Sequence, residues 1–298
     1  FRRVLFRSIT FTKAAANEMK GRFQELCPGT RGVTFGTFHS VFFWMLRNAY
    51  NYTAANIVTD SEKYGAIRDS IDRHGFRYDS QEDFAKNVVG EIGNVKSERV
   101  SLENYESTTM KLEDFRIVYD EYENFLRRCG KIDFDDMLVF TYELLSERPD
   151  ILKMWQNKFR YILIDEFQDI NMIQYDIVKL LAGERQNVFS VGDDDQSVYG
   201  FRGAAPAIMK KFPEDFHGTV IEYLNVNYRC SYDIVECSKR IIQNNRDRYE
   251  KQLRSAFAAG QSDRVHIVKT DSMTEQNKKI IDRITELNRA GIPYREMA

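Results

Sequence analysis

The sequence has little cysteine, little proline, no long apolar run and no excess of either charge. Its four cysteines (Cys27, Cys129, Cys230 and Cys237) form no CxxC pair. Neither a closely spaced thiolate zinc site nor a disulfide framework is expected, and free thiols suit a reducing compartment. Five prolines are too few for a proline-rich or low-complexity segment. A membrane-spanning helix needs about 20 consecutive apolar residues, whereas one of the longest apolar runs covers only residues 41–46. No basic-then-apolar segment ends in a small-residue cleavage site, so no secretory signal is expected. The 43 Lys and Arg nearly balance the 45 Asp and Glu, for a net charge of -2. That balance excludes a uniformly basic nucleic-acid binder, but not a local contact surface. What is present is 43% hydrophobic residues, with 21 Phe, 16 Tyr and 2 Trp across 298 residues. This suits about two soluble domains, at roughly 150 residues per domain.

The chain opens on Phe1 without an initiator Met and stops at Ala298 just past a helical pattern, so both ends are expected to be cut. Residues 1–8 (FRRVLFRS) match a translated sequencing-adapter end and are expected to be a scar, although they also read as a strand leading into Ile9. Residues 9–12 read as a strand and 13–26 as a helix ended by Pro28-Gly29. A strand at 33–35 precedes an aromatic-rich helix reaching about Tyr50. Residues 52–130 look wholly helical; Phe115, Val118, Tyr122, Phe125 and Leu126 share one face, and Gly130 suits the position after the last turn. Strand and helix then alternate: an apolar run at 161–164, a helix at 172–182 and a second run at 188–191. Such a βαβ unit makes the two strands parallel neighbours. Strands at 220–224 and 265–270, with helices at 232–245 and 274–290, form a further α/β unit. The resulting division is 9–50 and 132–215 as one α/β domain, 51–131 as an inserted helical subdomain, and 216–298 as the start of a second α/β domain.

The chemistry concentrates after the 161–164 run, where Asp165-Glu166-Phe167-Gln168-Asp169 begins. Ligands of open α/β sheets bind at the C-terminal strand edge. A carboxylate there can hold Mg²⁺ on nucleotide phosphates, and its neighbour can orient or deprotonate a water. A solvated acidic turn is the plainer alternative. The second run ends in Gly192-Asp193-Asp194-Asp195-Gln196-Ser197, which the βαβ connection brings to the same edge. Gln196 suits the sensing of a terminal phosphate or its attacking water. Tyr199-Gly200-Phe201-Arg202-Gly203 follows, and aromatics beside an arginine can stack on bases, although core packing remains open for both rings. Arg229, in Asn227-Tyr228-Arg229, could face a nucleotide across a cleft or make a surface ion pair. The GxxxxGK[ST] spacing of a phosphate-binding loop occurs nowhere in the sequence.

Together these segments resemble the UvrD/PcrA/Rep group of superfamily 1 DNA helicases, from Ile9 to the C-terminus. The stretch Ile9–Met19 is similar to motif Ia, and Gly36–Ser40, with Thr37-Phe38-His39-Ser40, to motif Ib. Ile132–Leu138, with Asp133-Phe134-Asp135-Asp136, is similar to the segment returning from the inserted subdomain. Asp165-Glu166-Phe167-Gln168-Asp169-Ile170-Asn171 resembles motif II, residues 191–204 motif III, and Asn227-Tyr228-Arg229-Cys230 motif IV.

The resemblance implies a RecA-like, P-loop NTPase-type parallel-sheet domain, an inserted all-helical subdomain and the start of a second RecA-like domain. It implies ATP and Mg²⁺ as cofactors: Asp165 on Mg²⁺, Glu166 as the base activating water, Gln196 and Arg229 on the γ-phosphate. Phe11, Tyr199 and Phe201 would stack on single-strand bases, Arg202 would contact DNA beside them, and Thr37 and His39 would line the DNA track. Position 201 usually carries Trp in this family, and Phe offers a smaller stacking face. The implied activity is ATP-driven 3′→5′ movement on single-stranded DNA and opening of single-strand/duplex junctions by a cytoplasmic, nucleoid-associated enzyme with no membrane contact. Motif I should precede Ile9, and motifs V and VI should follow Ala298; without Walker A the 298 residues alone are expected to be nearly inactive. A RecB/AddA-like helicase–nuclease and a non-hydrolysing single-strand-binding module are the alternatives.

Overall fold

The structure is a computed structural model that describes residues 6–10, 12–30, 32–76, 81–103, 105–197, 207–246, 248–260 and 265–297. Two compact units divide at Ile221 and Glu222. In the first, four parallel strands lie in the order β2-β1-β3-β4, with β1 at Phe6–Thr10, β2 at Val33–Thr37, β3 at Tyr161–Ile164 and β4 at Val188–Ser190. β1 begins earlier than the sequence suggests: Phe6, Arg7 and Ser8 pair with both β2 and β3. Strand pairing runs through main-chain groups, so almost any side chain can occupy such a position.

Helices connect β1 to its neighbour β2 and β3 to its neighbour β4, whereas β3 follows β2 in the chain but pairs with β1. α1 (Lys13–Leu26) starts where the Thr12 side chain accepts the Ala15 N–H at 3.1 Å. α2 (Phe38–Tyr50) starts directly after β2, with Thr37 as the capping residue. The helix Met172–Ala182 is capped by Asn171, whose side chain and that of Gln174 exchange bonds with each other's backbone N–H. Such reciprocal capping satisfies donors that a helix start otherwise orphans.

The helical block consists of α3 (Asp60–His74), α4 (Gln81–Glu98) and α5 (Leu112–Cys129). It has a core of its own in which Ile67, Val88, Ile92, Phe115, Val118 and Tyr122 meet. Gly130 ends α5 at φ 61°, a left-handed conformation that costs glycine little. α6 (Phe134–Glu147) and α7 (Pro149–Lys158) lead back to β3, and α8 (Met172–Ala182) and α9 (Ala207–Asp215) complete the unit. The sheet core gathers Ile9, Ile162 and Ile164 with Phe38, Phe42, Trp155, Ile173 and Val178.

The Asp133–Asp136 segment starts α6, as its polar pattern suggests. Asp133 accepts the Asp136 N–H at 2.7 Å and Asp136 accepts the Asp133 N–H at 3.0 Å. A cation that no local sequence pattern marks lies against them. Buried Lys96 of α4 reaches Asp133 at 2.9 Å, Asp136 at 2.7 Å and Glu123 at 2.6 Å. The ammonium therefore pins the helical block to α6, and this compensates charges that would be costly to bury singly.

The second unit departs from expectation. Residues 220–224 and 265–270 form no strand. Its two strands, β5 (Val226–Asn227) and β6 (Arg254–Ser255), pair in parallel over two residues each. The helices are present as α10 (Tyr232–Ile242) and α11 (Met273–Arg289). Within the unit, apolar residues such as Leu224 and Ile267 find no neighbouring strand and stay exposed. Apolarity without a pairing edge does not make a strand.

Candidate functional site

The C-terminal edge of the sheet in the first unit carries a cavity of about 230 Å³ lined by Thr10, Thr12, Ala15, Glu166, Gln168, Asp169 and Gln196. Its walls come from the end of β1, the first turn of α1 and the loops after β3 and β4. Backbone hydrogen bonds carry the ladder into these loops: Asp165 N–H donates to Ile9 O (2.9 Å), Val191 N–H to Ile164 O (2.8 Å) and Phe167 N–H to Val191 O (2.9 Å). The loops after β3 and β4 are therefore zipped together before any side chain is considered.

Glu166 sits at φ 54°, ψ 46°, a left-handed conformation that costs a residue with a Cβ roughly 1–2 kcal/mol. Strain of this kind persists where the surroundings over-determine it. Main-chain bonds on either side hold this backbone, with Asp169 N–H donating to Glu166 O at 3.0 Å, and Gln168 Nε2 donates to a Glu166 carboxylate oxygen at 2.7 Å. Gln168 Oε1 accepts the Asp193 backbone N–H at 3.0 Å, and Gln196 Nε2 donates to the Asp193 carboxylate at 2.7 Å. A chain of hydrogen bonds thus joins Glu166 to Gln196.

Negative charge is crowded here. Burial pushes the carboxyl of Asp165 above its usual range, and the neighbouring Glu166 pushes it further. Asp169 is raised for the same two reasons, in the same order. Thr10 Oγ1 and Asp169 Oδ1 are buried and lack a hydrogen-bond partner among the described residues, a state that costs about 1–3 kcal/mol for each group. The carboxylates of Asp193, Asp194 and Asp195 lie within 4.8 Å of one another. Hard oxygen donors in this density suit a divalent cation such as Mg²⁺.

The remaining expected site residues are spread more widely. Asp165 is half-buried at the end of β3 and is not among the cavity-lining residues. Thr37 accepts the Ser40 N–H at 3.2 Å as the cap of α2. His39 sits in the first turn of α2, edge-on to the Phe134 ring at 5.4 Å. Burial lowers its pKa to about 4, so at neutral pH it can exchange hydrogen bonds but supplies no positive charge. Arg229 belongs to the second unit, where its backbone N–H donates to Asn227 Oδ1 at 2.9 Å, forming a tight turn after β5. The expectations for Phe11, Tyr199, Phe201 and Arg202 fall outside the described residues. Gln168, Thr10 and Thr12 also shape this edge, although nothing in the sequence alone assigns them a role. The signal for Gln168 was an amide set between Phe167 and Ile170 in a loop joining two buried elements.

Comparison with known proteins agrees with this layout. The UvrD/REP helicase N-terminal domain matches residues 5–217, and the UvrD-like helicase C-terminal domain matches residues 222–298. A protein of Bacillus subtilis named putative ATP-dependent DNA helicase YjcD is 37% identical over 263 residues, covering 83% of this chain and 33% of its own length. The ATP-dependent DNA helicase PcrA of Staphylococcus epidermidis is 33% identical over 304 residues, covering 98% of this chain and 40% of its own length. PcrA of Staphylococcus aureus is 33% identical over 301 residues, with the same coverage. The chain thus spans about a third to two fifths of the length of these relatives. With most of its length matched by the N-terminal helicase domain and the rest by the C-terminal one, the chain belongs to the UvrD/REP helicase family.

Proposed function

We propose that this chain carries the hydrolytic edge and part of the DNA track of an ATP-dependent 3′→5′ DNA helicase. Its sheet domain is RecA-like, and its second unit begins another domain of that kind. One observation supports the reading above the others: Glu166 and Gln196, from separate loops, line the same cavity at the C-terminal edge of a parallel sheet. That edge is where phosphate chemistry is placed in α/β folds.

In this reading Glu166 takes a proton from the attacking water, and Gln196 and Arg229 contact the terminal phosphate of ATP. Asp165, crowded by Glu166, would hold Mg²⁺, which supplies charge neutralisation on the phosphates when bound. Phe11, Tyr199 and Phe201 stack on single-strand bases, with Arg202 on the backbone beside them. Thr37 and neutral His39 line the track by hydrogen bonding. Turnover then moves the enzyme along single-stranded DNA toward single-strand/duplex junctions.

The test is Glu166→Gln in the full-length product of the open reading frame. Loss of a general base costs about 10²–10⁴-fold. ATP turnover is expected to fall by that factor while binding of a fluorescent nucleotide persists. Normal turnover would refute the assigned base.

A further inference from the structure

We propose that Gln168 is a positioning residue, whose buried amide fixes the Glu166 carboxylate and ties it to the loop after β4. The proposal rests on the role given above to Glu166 and adds a residue through which that base is set.

The polarity of the amide follows from its partners. Gln168 is 2% exposed, so its polar atoms are satisfied inside the protein. The Asp193 backbone N–H can only donate, so the Gln168 oxygen must face it at 3.0 Å. The nitrogen is left facing Glu166 at 2.7 Å. A carboxylate oxygen only accepts, so both contacts agree on one orientation. A glutamate at position 168 could still accept the Asp193 N–H, but when ionised it would have nothing to donate to Glu166.

The backbone supplies a second line of support. Glu166 holds a left-handed conformation at φ 54°, and a side chain on strained backbone keeps its direction only where it is anchored. Gln168 is that anchor, two residues along the chain. Its own main chain is engaged as well, since the Ser197 hydroxyl donates to the Gln168 carbonyl at 3.4 Å.

The third line comes from the opposite wall. A Cβ at Gly192 would lie 2.9 Å from Gln168 Oε1, 3.2 Å from Gln168 N and 3.2 Å from Phe167 Cβ. Two of those atoms belong to backbone or its first carbon and cannot swing away. Gly192 therefore holds open the space that the Gln168 amide fills. Because Gln196 bonds to Asp193, displacement of the loop after β4 reaches Glu166 through one buried side chain.

Gln168→Leu keeps the volume and removes both hydrogen bonds. In the full-length product, ATP turnover is expected to show kcat at least tenfold lower, with KM for ATP within twofold. A side chain that served packing alone would lower the folded yield and leave kcat per folded molecule unchanged. Gly192→Ala attacks the same contact from the other side and should also lower kcat, and Gln168→Leu added to it should cost little more. If Gln168→Leu does not fold, Gly192→Ala decides the matter by the same split between kcat and KM. Wild-type kcat in soluble Gln168→Leu, alongside inactive Glu166→Gln, would overturn this proposal alone. Normal turnover by Glu166→Gln would remove the base assignment and the positioning role together.

Discussion

The two units treat similar apolar sequence in opposite ways. In the first, the β3 residues Ile162 and Ile164 are each 2% exposed, between parallel neighbours and beneath helices. In the second, Leu224 is 86% and Ile267 88% exposed. Val235 is the one buried residue among the described residues of that unit. A run of branched and aliphatic residues is thus permission for a strand, not an instruction. The instruction comes from a pairing edge and a covering helix, because backbone groups must be satisfied as apolar area leaves water. The candidate site follows the same division: its cavity lies in the unit whose loops are zipped by β3–β4 pairing, where a strained Glu166 can be held.

The largest expected effect lies in the packed unit. Trp155 of α7 is buried beside Trp44 (ring centroids 4.8 Å) and Phe159 (5.3 Å), with the Lys158 ammonium over its ring at 4.7 Å. Trp155→Ala should destabilise the first unit by about 3–5 kcal/mol in urea denaturation, as expected for an aromatic removed from a core. Trp155→Phe should cost far less, since it keeps a ring and removes an indole N–H that has no acceptor among the described residues. A small effect of the alanine variant would mean that the first unit tolerates voids, and the contrast between the units would weaken.

How much was legible in the sequence follows from the same physics. α1 reads directly, because Thr12, the run of helix formers and Pro28-Gly29 are local signals, and the helix occupies Lys13–Leu26. The parallel neighbourhood of β3 and β4 reads from apolar runs separated by a helix, and with it the convergence of Glu166 and Gln196 on one cavity. Gln168 was not legible as a bridge, since its partners Glu166 and Asp193 are chosen by the pairing of two loops. Lys96 was illegible for the same reason: an ordinary lysine on α4 meets Asp133 and Asp136 only through folding. The strands expected at 220–224 and 265–270 failed where pattern stood in for pairing.

A smaller effect of opposite sign sharpens the contrast, because burial also has costs. Asp135, half-buried near the Lys96 cluster, has its pKa raised from 3.8 to about 6, by burial first and by Asp133 second. The folded state therefore holds more protons than the unfolded state between about pH 4 and 6. Stability falls as pH rises through that window, and the full penalty is present above it. Asp135→Asn should raise stability at pH 7.5 by about 1–2 kcal/mol, and change it little at pH 4. Parallel pH–stability curves for the two proteins would assign the cost elsewhere.

The smallest effect belongs to the second unit and tests the comparison most directly. Leu224→Ser and Ile267→Ser remove large apolar side chains, the change that would cost about 2–5 kcal/mol in a core. At 86% and 88% exposure there is little buried area to lose, and each substitution should alter stability by no more than about 0.5 kcal/mol. The unmodified residues add to an apolar surface that favours association, so the paired variant should sediment with less self-association than the parent chain. A loss above about 2 kcal/mol from either substitution would show that these side chains are buried in solution. The absence of strands at 220–224 and 265–270 would then no longer follow from the lack of a pairing edge.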